Sequence, residues 1–162
     1  MKSIVLGVGD FGVSKTPDEV IKTFALGSCV AVMLLHPRTK SVGMVHVALP
    51  DSKINLERAR ERPGYFADTG IPALVEAMAK VGASGNGRDF IVKLAGGAKV
   101  MDAGNTFNIG KRNVLAIKKI LWKKGMGAVA EDVGGTISRT VAVSVDTGKI
   151  LLSSAARGEW EI

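Results

Sequence analysis

The sequence predicts a single α+β domain over residues 1–162, and three observations lead to this fold class. The chain is 46% hydrophobic and 23% charged, which at 162 residues suits one globular core. Most apolar segments are short, as in β-strands, and the predicted strands mostly follow one another along the chain. Two further segments have helical spacing. About eight strands and two helices in this order favour α+β over the regular βαβ alternation of a doubly wound sheet.

The N-terminal half is predicted to consist of strands. Residues 2–9 alternate loosely, and residues 18–26 carry β-branched side chains after a Thr-Pro break. The run CVAVMLLH at 29–36 is continuously apolar and too short for a typical helix, so it predicts a buried strand. Residues 41–50 follow the polar turn PRTK and form the return arm of a hairpin. Residues 51–64 are charged and end near a proline, which indicates a mobile loop.

The C-terminal half contains both predicted helices. Apolar residues recur at helical spacing over 69–81, where Pro72 suits a first turn and Gly82 can close the helix. Residues 90–98 are predicted to form a strand that ends in a Gly-Gly turn. A second helix is predicted over 111–124, with lysines toward its C-terminal end. Three more segments are predicted as a strand followed by a hairpin: 128–133, 137–145 and 149–155.

Composition and charge narrow the function classes. The net charge is +7, but the basic residues are dispersed and aromatics make up only 5%. Nucleic-acid binding would need a basic stripe with stacking aromatics or a recognition motif, so an acidic protein partner is the better expectation. The N-terminus lacks a signal-peptide pattern, and no apolar run approaches the roughly 20 residues of a membrane span. We therefore expect a soluble, intracellular protein without a membrane span.

No cofactor or metal is expected from the sequence. The single cysteine excludes an internal disulfide, and no cysteine and histidine residues have zinc-site spacing. The glycine-rich stretch LAGGAKVMDAGN at 94–105 lacks the Gly-Lys-Ser/Thr ending of a phosphate-binding loop. We interpret that stretch as a structural turn.

The predicted hairpin places a thiol near an imidazole. If the turn is the four residues 37–40, paired residue numbers sum to 77, so Cys29 lies opposite Ala48 and Ala31 opposite His46. Cys29 and His46 then share one face as diagonal neighbours, whose backbones are about 7–8 Å apart. A turn one residue shorter or longer would put them on opposite faces.

A thiol beside an imidazole is the minimal pair for nucleophilic catalysis. Thr23 can orient the second imidazole nitrogen if its strand lies alongside. Gly27 lets a substrate approach the backbone, and the N–H groups around Ser28 and Cys29 can form an oxyanion hole. Each residue also has a structural interpretation: the cysteine as a small buried hydrophobe, the histidine as a core residue and the threonine as an ordinary strand residue. The other histidine, His36, lies next to the proline of the turn and is predicted to be solvated.

Several motifs in order resemble the CheD family of chemoreceptor glutamine deamidases. They are LGSCVAV, GMVHVALPDS, YFADTGI, KLAGGAKVM, NIGKRN and EDVGGTISRTV. The resemblance covers nearly the whole chain and is specific because independent motifs keep their spacing. It implies hydrolysis of glutamine side-chain amides on the cytoplasmic helices of methyl-accepting chemotaxis receptors. The family's catalytic cysteine, histidine and threonine correspond to Cys29, His46 and Thr23.

The resemblance also implies a fold and a partner. The expected fold is an α-β-β-α sandwich of two packed mixed sheets, similar to the catalytic domain of cytotoxic necrotizing factor toxins. The expected partner is CheC, a phosphatase of the response regulator CheY, and we expect the protein alone to be a monomer. Two alternatives stay open: a module that mainly binds and stimulates CheC, and a thiol-dependent glutamyl methylesterase acting on the same receptor helices.

Overall fold

The computed structural model describes residues 2–99 and 108–162. Within these residues the chain forms ten strands: β1 (Lys2–Leu6), β2 (Phe11–Ser14), β3 (Glu19–Leu26), β4 (Val30–His36), β5 (Ser41–Val47), β6 (Ile91–Gly96), β7 (Ala128–Val133), β8 (Arg139–Ser144), β9 (Ile150–Ser154) and β10 (Gly158–Glu161). The described α-helices are α1 (Leu56–Glu61), α2 (Ala67–Lys80) and α3 (Ile109–Lys123). Short 3₁₀ helices span Ser52–Ile54, Pro63–Tyr65 and Gly87–Asp89.

The strands form two five-stranded mixed sheets. Sheet A has the order β1-β3-β8-β9-β10, and sheet B has the order β2-β5-β4-β6-β7. Each sheet contains one parallel pair, β1 with β3 in sheet A and β6 with β7 in sheet B, while the other neighbours are antiparallel. The predicted α+β class with two mixed sheets is confirmed.

Strand β4 explains how the two layers pack. Its alternate residues Val30, Val32 and Leu34 join the core under α2 and α3. The residues between them, which include Ala31 and Met33, join the core between the two sheets. Both faces of β4 are therefore covered, which is why its sequence is continuously apolar instead of alternating.

Helices α2 and α3 lie on the same side of the sandwich. Side chains of α2 and α3 belong to the core that covers sheet B, and the core between the sheets contains no helical residue among those described. A second helical layer, beyond sheet A, is not seen in residues 2–99 and 108–162. The described layers are helix, sheet, sheet, and the likeness to the toxin domain stays a prediction.

The structure corrects two predictions in the N-terminal half. The predicted strand 2–9 ends at Leu6 because Gly7 and Asp10 form a turn, in which the Gly7 N–H donates to the Asp10 carboxylate at 2.8 Å. The chain then crosses to sheet B as β2. The prediction of a mobile loop over 51–64 is also wrong, since this segment contains α1, one 3₁₀ helix and the start of another. It is also bonded to α2, because the Ser52 backbone N–H donates to the Asp68 carboxylate at 2.9 Å.

The C-terminal half follows the predictions more closely. Helices α2 and α3 match the two predicted helices to within about two residues at each end, as expected for helix boundaries. The last strand, β10, was not predicted. The glycine-rich stretch, predicted as a turn, begins inside β6 at residues 94–96, and residues 97–99 follow without regular secondary structure. Its residues 100–105 lie outside the described residues. No helix among the described residues is long and apolar enough to span a membrane.

Candidate active site

Cys29 lies in a short loop between the two sheets. Strand β3 of sheet A contains a bulge between Thr23 and Leu26, where Ala25 has φ of 52°. The strand ends at Leu26, just beyond the bulge, and residues 27–29 then carry the chain across to β4 of sheet B. The half-buried Cys29 packs against the core between the sheets. A bulge and a left-handed non-glycine residue next to a candidate nucleophile fit the common placement of such features at functional sites.

The hairpin has the predicted register. His36 pairs with Ser41 and Ala31 pairs with His46, so the numbers sum to 77 along the whole ladder. The ladder ends at Val30 and Val47, one step before the expected pair of Cys29 and Ala48. His46 lies two residues after Met44, a member of the core between the sheets, and therefore faces the same space as Cys29.

Thr23 and His46 meet across the sandwich. Thr23 is fully buried on β3, and its Oγ1 lies 2.6 Å from His46 Nδ1 and 2.9 Å from the carbonyl oxygen of Leu6. A carbonyl can only accept, so the threonine hydroxyl donates its proton to Leu6. It must then accept from His46, which puts the imidazole proton on Nδ1 and leaves the lone pair on Nε2.

His46 Nε2 is the basic atom of the site. It is buried and has no hydrogen-bond partner among residues 2–99 and 108–162, so no hydrogen bond joins it to Cys29. Burial lowers the pKa of His46 to about 4, against a smaller opposing effect of the Asp10 carboxylate. Burial raises the pKa of the Cys29 thiol, with its own backbone N–H acting in the other direction. Both shifts favour the neutral thiol and neutral imidazole over the ion pair.

Three hydrogen bonds hold the carbonyl groups of the cysteine loop. The Ala98 N–H donates to Gly27 at 2.8 Å, the Asn113 side-chain amide donates to Ser28 at 3.0 Å, and the Gly97 N–H donates to Cys29 at 2.8 Å. The N–H groups of Ser28 and Cys29 have no acceptor among the described residues. Backbone N–H groups without an acceptor, next to a nucleophile, are the kind of donor that an oxyanion hole uses.

Gly96 lets the end of β6 approach this loop. Its φ is 113°, and a Cβ atom at this position would lie 2.3 Å from the carbonyl oxygen of Cys29. A larger residue would therefore strain the backbone and push the cysteine loop away. The two glycines predicted at the end of this strand therefore also pack against the backbone of Cys29 and hold its position.

Three contributors to the site were not predicted. The Leu6 carbonyl could not be identified, because any residue supplies one. Asp10 is bound by Arg62 at 3.0 Å, and its backbone carbonyl accepts from the His46 N–H at 3.0 Å. Asn113 had a signal in the sequence, since it occupies the inward face of the predicted helix together with Ile117.

His36 differs from its predicted environment. A solvated position beside the turn was expected, but its side chain is 1% exposed and its ring lies 5.0 Å from that of Phe90. Its position at the end of β4 puts it on the helix side of sheet B, where the side chain is covered.

Comparisons with known proteins point to one family. Residues 48–154 match the family model described as CheD chemotactic sensory transduction. That match begins after Thr23, Cys29 and His46, but similar proteins cover these positions as well. The "Probable chemoreceptor glutamine deamidase CheD" of Syntrophotalea carbinolica is 56% identical over 100% of both chains. The "Chemoreceptor glutamine deamidase CheD" of Thermotoga maritima is 42% identical over 96% of this chain and 94% of its own.

Proposed function

The chain belongs to the CheD family, and from this membership and the Cys29, His46 and Thr23 arrangement we propose that it deamidates glutamine side chains of chemoreceptors. The observation that carries the proposal is the Thr23–His46 pair, whose tautomer leaves a buried lone pair on Nε2 facing the space occupied by Cys29. A histidine fixed in this tautomer beside a thiol is the arrangement of a general base and its nucleophile.

The first half of the reaction forms a thioester. His46 Nε2 takes the proton of the Cys29 thiol as the sulfur attacks the carbon of the glutamine carboxamide. The pKa shifts of both groups favour the neutral pair, so we expect this proton transfer to accompany the attack rather than precede it. The N–H groups of Ser28 and Cys29 donate to the oxyanion. His46 then protonates the leaving nitrogen, the C–N bond breaks, and ammonia departs.

The second half releases glutamate. Neutral His46 takes a proton from a water molecule, which attacks the thioester carbon. The C–S bond breaks, and the sulfur recovers its proton from His46. The product is a glutamate side chain, which carries a new negative charge on the receptor helix. Thr23 holds the imidazole in one tautomer through both halves, while Gly27 gives the substrate close access to the loop.

The test uses a chemoreceptor cytoplasmic fragment incubated with the protein. Mass spectrometry of the fragment should show defined glutamines converted to glutamate, with ammonia released in equal amount. The Cys29→Ala variant should fold normally and lower the rate by about 10⁴-fold or more. An active Cys29→Ala variant would exclude the thioester route. Hydrolysis of glutamyl methyl esters in place of amides would identify the methylesterase alternative.

A CheC partner is proposed on family membership alone. The basic chain, with a net charge of +7, is suited to acidic partners in general. Co-purification with CheC, measured for the wild type and for Cys29→Ala, separates binding from catalysis, because the variant should still bind. Gel filtration of the protein alone tests the expected monomer.

A further inference from the structure

We propose that Asn113 is a positioning residue that aims the backbone N–H of Cys29 at the reaction centre. The proposal rests on the deamidase function above and assigns a role to a helix residue outside the Cys29, His46 and Thr23 group. Asn113 is completely buried on α3. Its side-chain Nδ2 donates to the carbonyl oxygens of Ser28 and Ala48, both at 3.0 Å.

The effect on the Cys29 N–H follows from peptide geometry. In a trans peptide the carbonyl and the following N–H lie in one plane and point in opposite directions, and no described peptide bond is cis. The Ser28 carbonyl and the Cys29 N–H belong to the same peptide. Asn113 therefore sets the direction of the Cys29 N–H by holding the opposite end of that peptide.

The neighbouring strand supports this interpretation. The Gly97 N–H donates to the Cys29 carbonyl at 2.8 Å, but the Cys29 N–H has no acceptor among the described residues, the Gly97 carbonyl included. Both Gly96 and Gly97 have positive φ, so the ladder between β4 and β6 ends at this point. The Cys29 N–H thus remains available to a substrate, and a side chain rather than a strand partner fixes its direction.

The second hydrogen bond extends the role of Asn113. The Ala48 carbonyl lies two residues after His46, so one amide group holds both the nucleophile loop and the strand of the base. Its Oδ1 is buried without a hydrogen-bond partner among the described residues. An unsatisfied buried acceptor is unfavourable for stability, whereas the adjacent inward positions of α3 are apolar. The two donated hydrogen bonds offset this cost, and the same two bonds fix the Ser28 and Ala48 peptides relative to each other.

The experiment compares deamidation with alkylation of the same thiol. Asn113→Ala should lower kcat for the receptor fragment about 10- to 100-fold and change KM by less than about threefold, since a misdirected oxyanion donor acts on the transition state. Alkylation of Cys29 by iodoacetamide forms no oxyanion, so its rate should change by less than about threefold. A merely structural role would lower both rates together or neither.

Two further variants complete the design. Ile117→Ala removes a buried side chain one turn along the same helix and controls for lost packing, so its kcat should stay near wild type below its melting temperature. Asn113→Asp is nearly the same size but has at most one donor, and it should lower kcat even if Asn113→Ala does not fold. If neither Asn113 variant folds, or if both match Ile117→Ala in kcat, the positioning role is wrong. If the wild type itself does not deamidate the receptor fragment, the proposed deamidase function is wrong. That result is distinguishable from failure of the Asn113 proposal, which requires an active wild type.

Discussion

His46 and His36 lie at opposite ends of one hairpin and have similar local chemistry. Both side chains are buried, and both have Nδ1 within hydrogen-bond distance of a threonine hydroxyl, Thr23 at 2.6 Å and Thr39 at 2.7 Å. Both also have a buried Nε2 that finds no hydrogen-bond partner in the part of the chain that the structure describes. These shared features are therefore insufficient to identify a catalytic base.

The two histidines differ in the second hydrogen-bond partner of the threonine hydroxyl that each contacts. Thr23 donates to the Leu6 carbonyl, which can only accept, so the tautomer of His46 is fixed. Thr39 lies 2.9 Å from the Ser41 hydroxyl, where either oxygen can be the donor. Its contact with a carbonyl oxygen, that of His36, is 3.5 Å long, which exceeds an ordinary O–H···O hydrogen bond, so the tautomer of His36 is not fixed. His46 also faces the space between the sheets with Cys29, while His36 packs against Phe90. A fixed tautomer and a neighbouring thiol distinguish the proposed base from a core histidine.

The largest expected effect is the loss of activity on removing one histidine but not the other. His46→Gln should lower kcat by about 10³-fold or more, because general base and general acid steps are both lost. His36→Gln should leave kcat within about threefold of wild type. Ammonia release from the receptor fragment measures both. If kcat falls equally in both variants, the loss of activity results from removing any buried His–Thr pair and not from removing a base beside Cys29.

The hairpin was the part of the site that could be predicted from the sequence. Its register depends on a local four-residue turn and on a continuous apolar strand, which are both visible in the residues themselves. The same logic placed Cys29 and His46 on one face. It could not show that Thr23 reaches His46, because that contact depends on how sheet A packs on sheet B. The residues offered Thr23 only on the condition that its strand lies alongside His46, and the family resemblance then implied a catalytic role for it.

Other features depend on contacts between distant segments. The charged segment 51–64 was predicted to be a mobile loop, but one of its charged residues, Arg62, binds the Asp10 carboxylate of a distant turn at 3.0 Å. The strand β2 was missed because the turn before it is set by one side-chain hydrogen bond to Asp10. In the sequence, Asn113 is an ordinary polar residue of a helix. Its role depends on contacts with the carbonyl groups of Ser28 and Ala48, which are distant along the chain.

The second expected effect concerns stability in acid. The pKa of His46 is about 4 in the folded chain and near 6.5 when unfolded, so below pH 6.5 the unfolded state binds a proton that the folded state does not. The free energy of unfolding should fall by about 3 kcal/mol between pH 6.5 and pH 4, and stay constant above that range. Urea unfolding of wild type and His46→Gln across this range isolates the effect, since carboxylates contribute equally to both. If the free energy of unfolding depends on pH in the same way for wild type and His46→Gln, burial does not suppress protonation of His46.

The third effect separates the two threonines by activity. Thr23→Val keeps the shape of the side chain but removes the acceptor for His46 Nδ1, so the imidazole can adopt either tautomer. We expect kcat to fall about 10- to 100-fold with a small change in KM, as for other residues that orient a catalytic histidine. Iodoacetamide alkylation of Cys29 and the melting temperature show whether the site is otherwise intact. A variant that loses activity only in proportion to unfolding would make Thr23 a structural residue.

The smallest effect is expected at Thr39, the counterpart of Thr23. Thr39→Val removes the hydrogen bonds to His36 Nδ1 and to the Ser41 hydroxyl, so the free energy of unfolding should fall by about 1–2 kcal/mol. The kcat should stay within about twofold of wild type, because this end of the hairpin lies away from Cys29. Urea unfolding and ammonia release on the same sample measure the two quantities. A loss of activity as large as that of Thr23→Val would show that the two ends of the hairpin are coupled, and His36 would then no longer serve as the non-catalytic counterpart of His46.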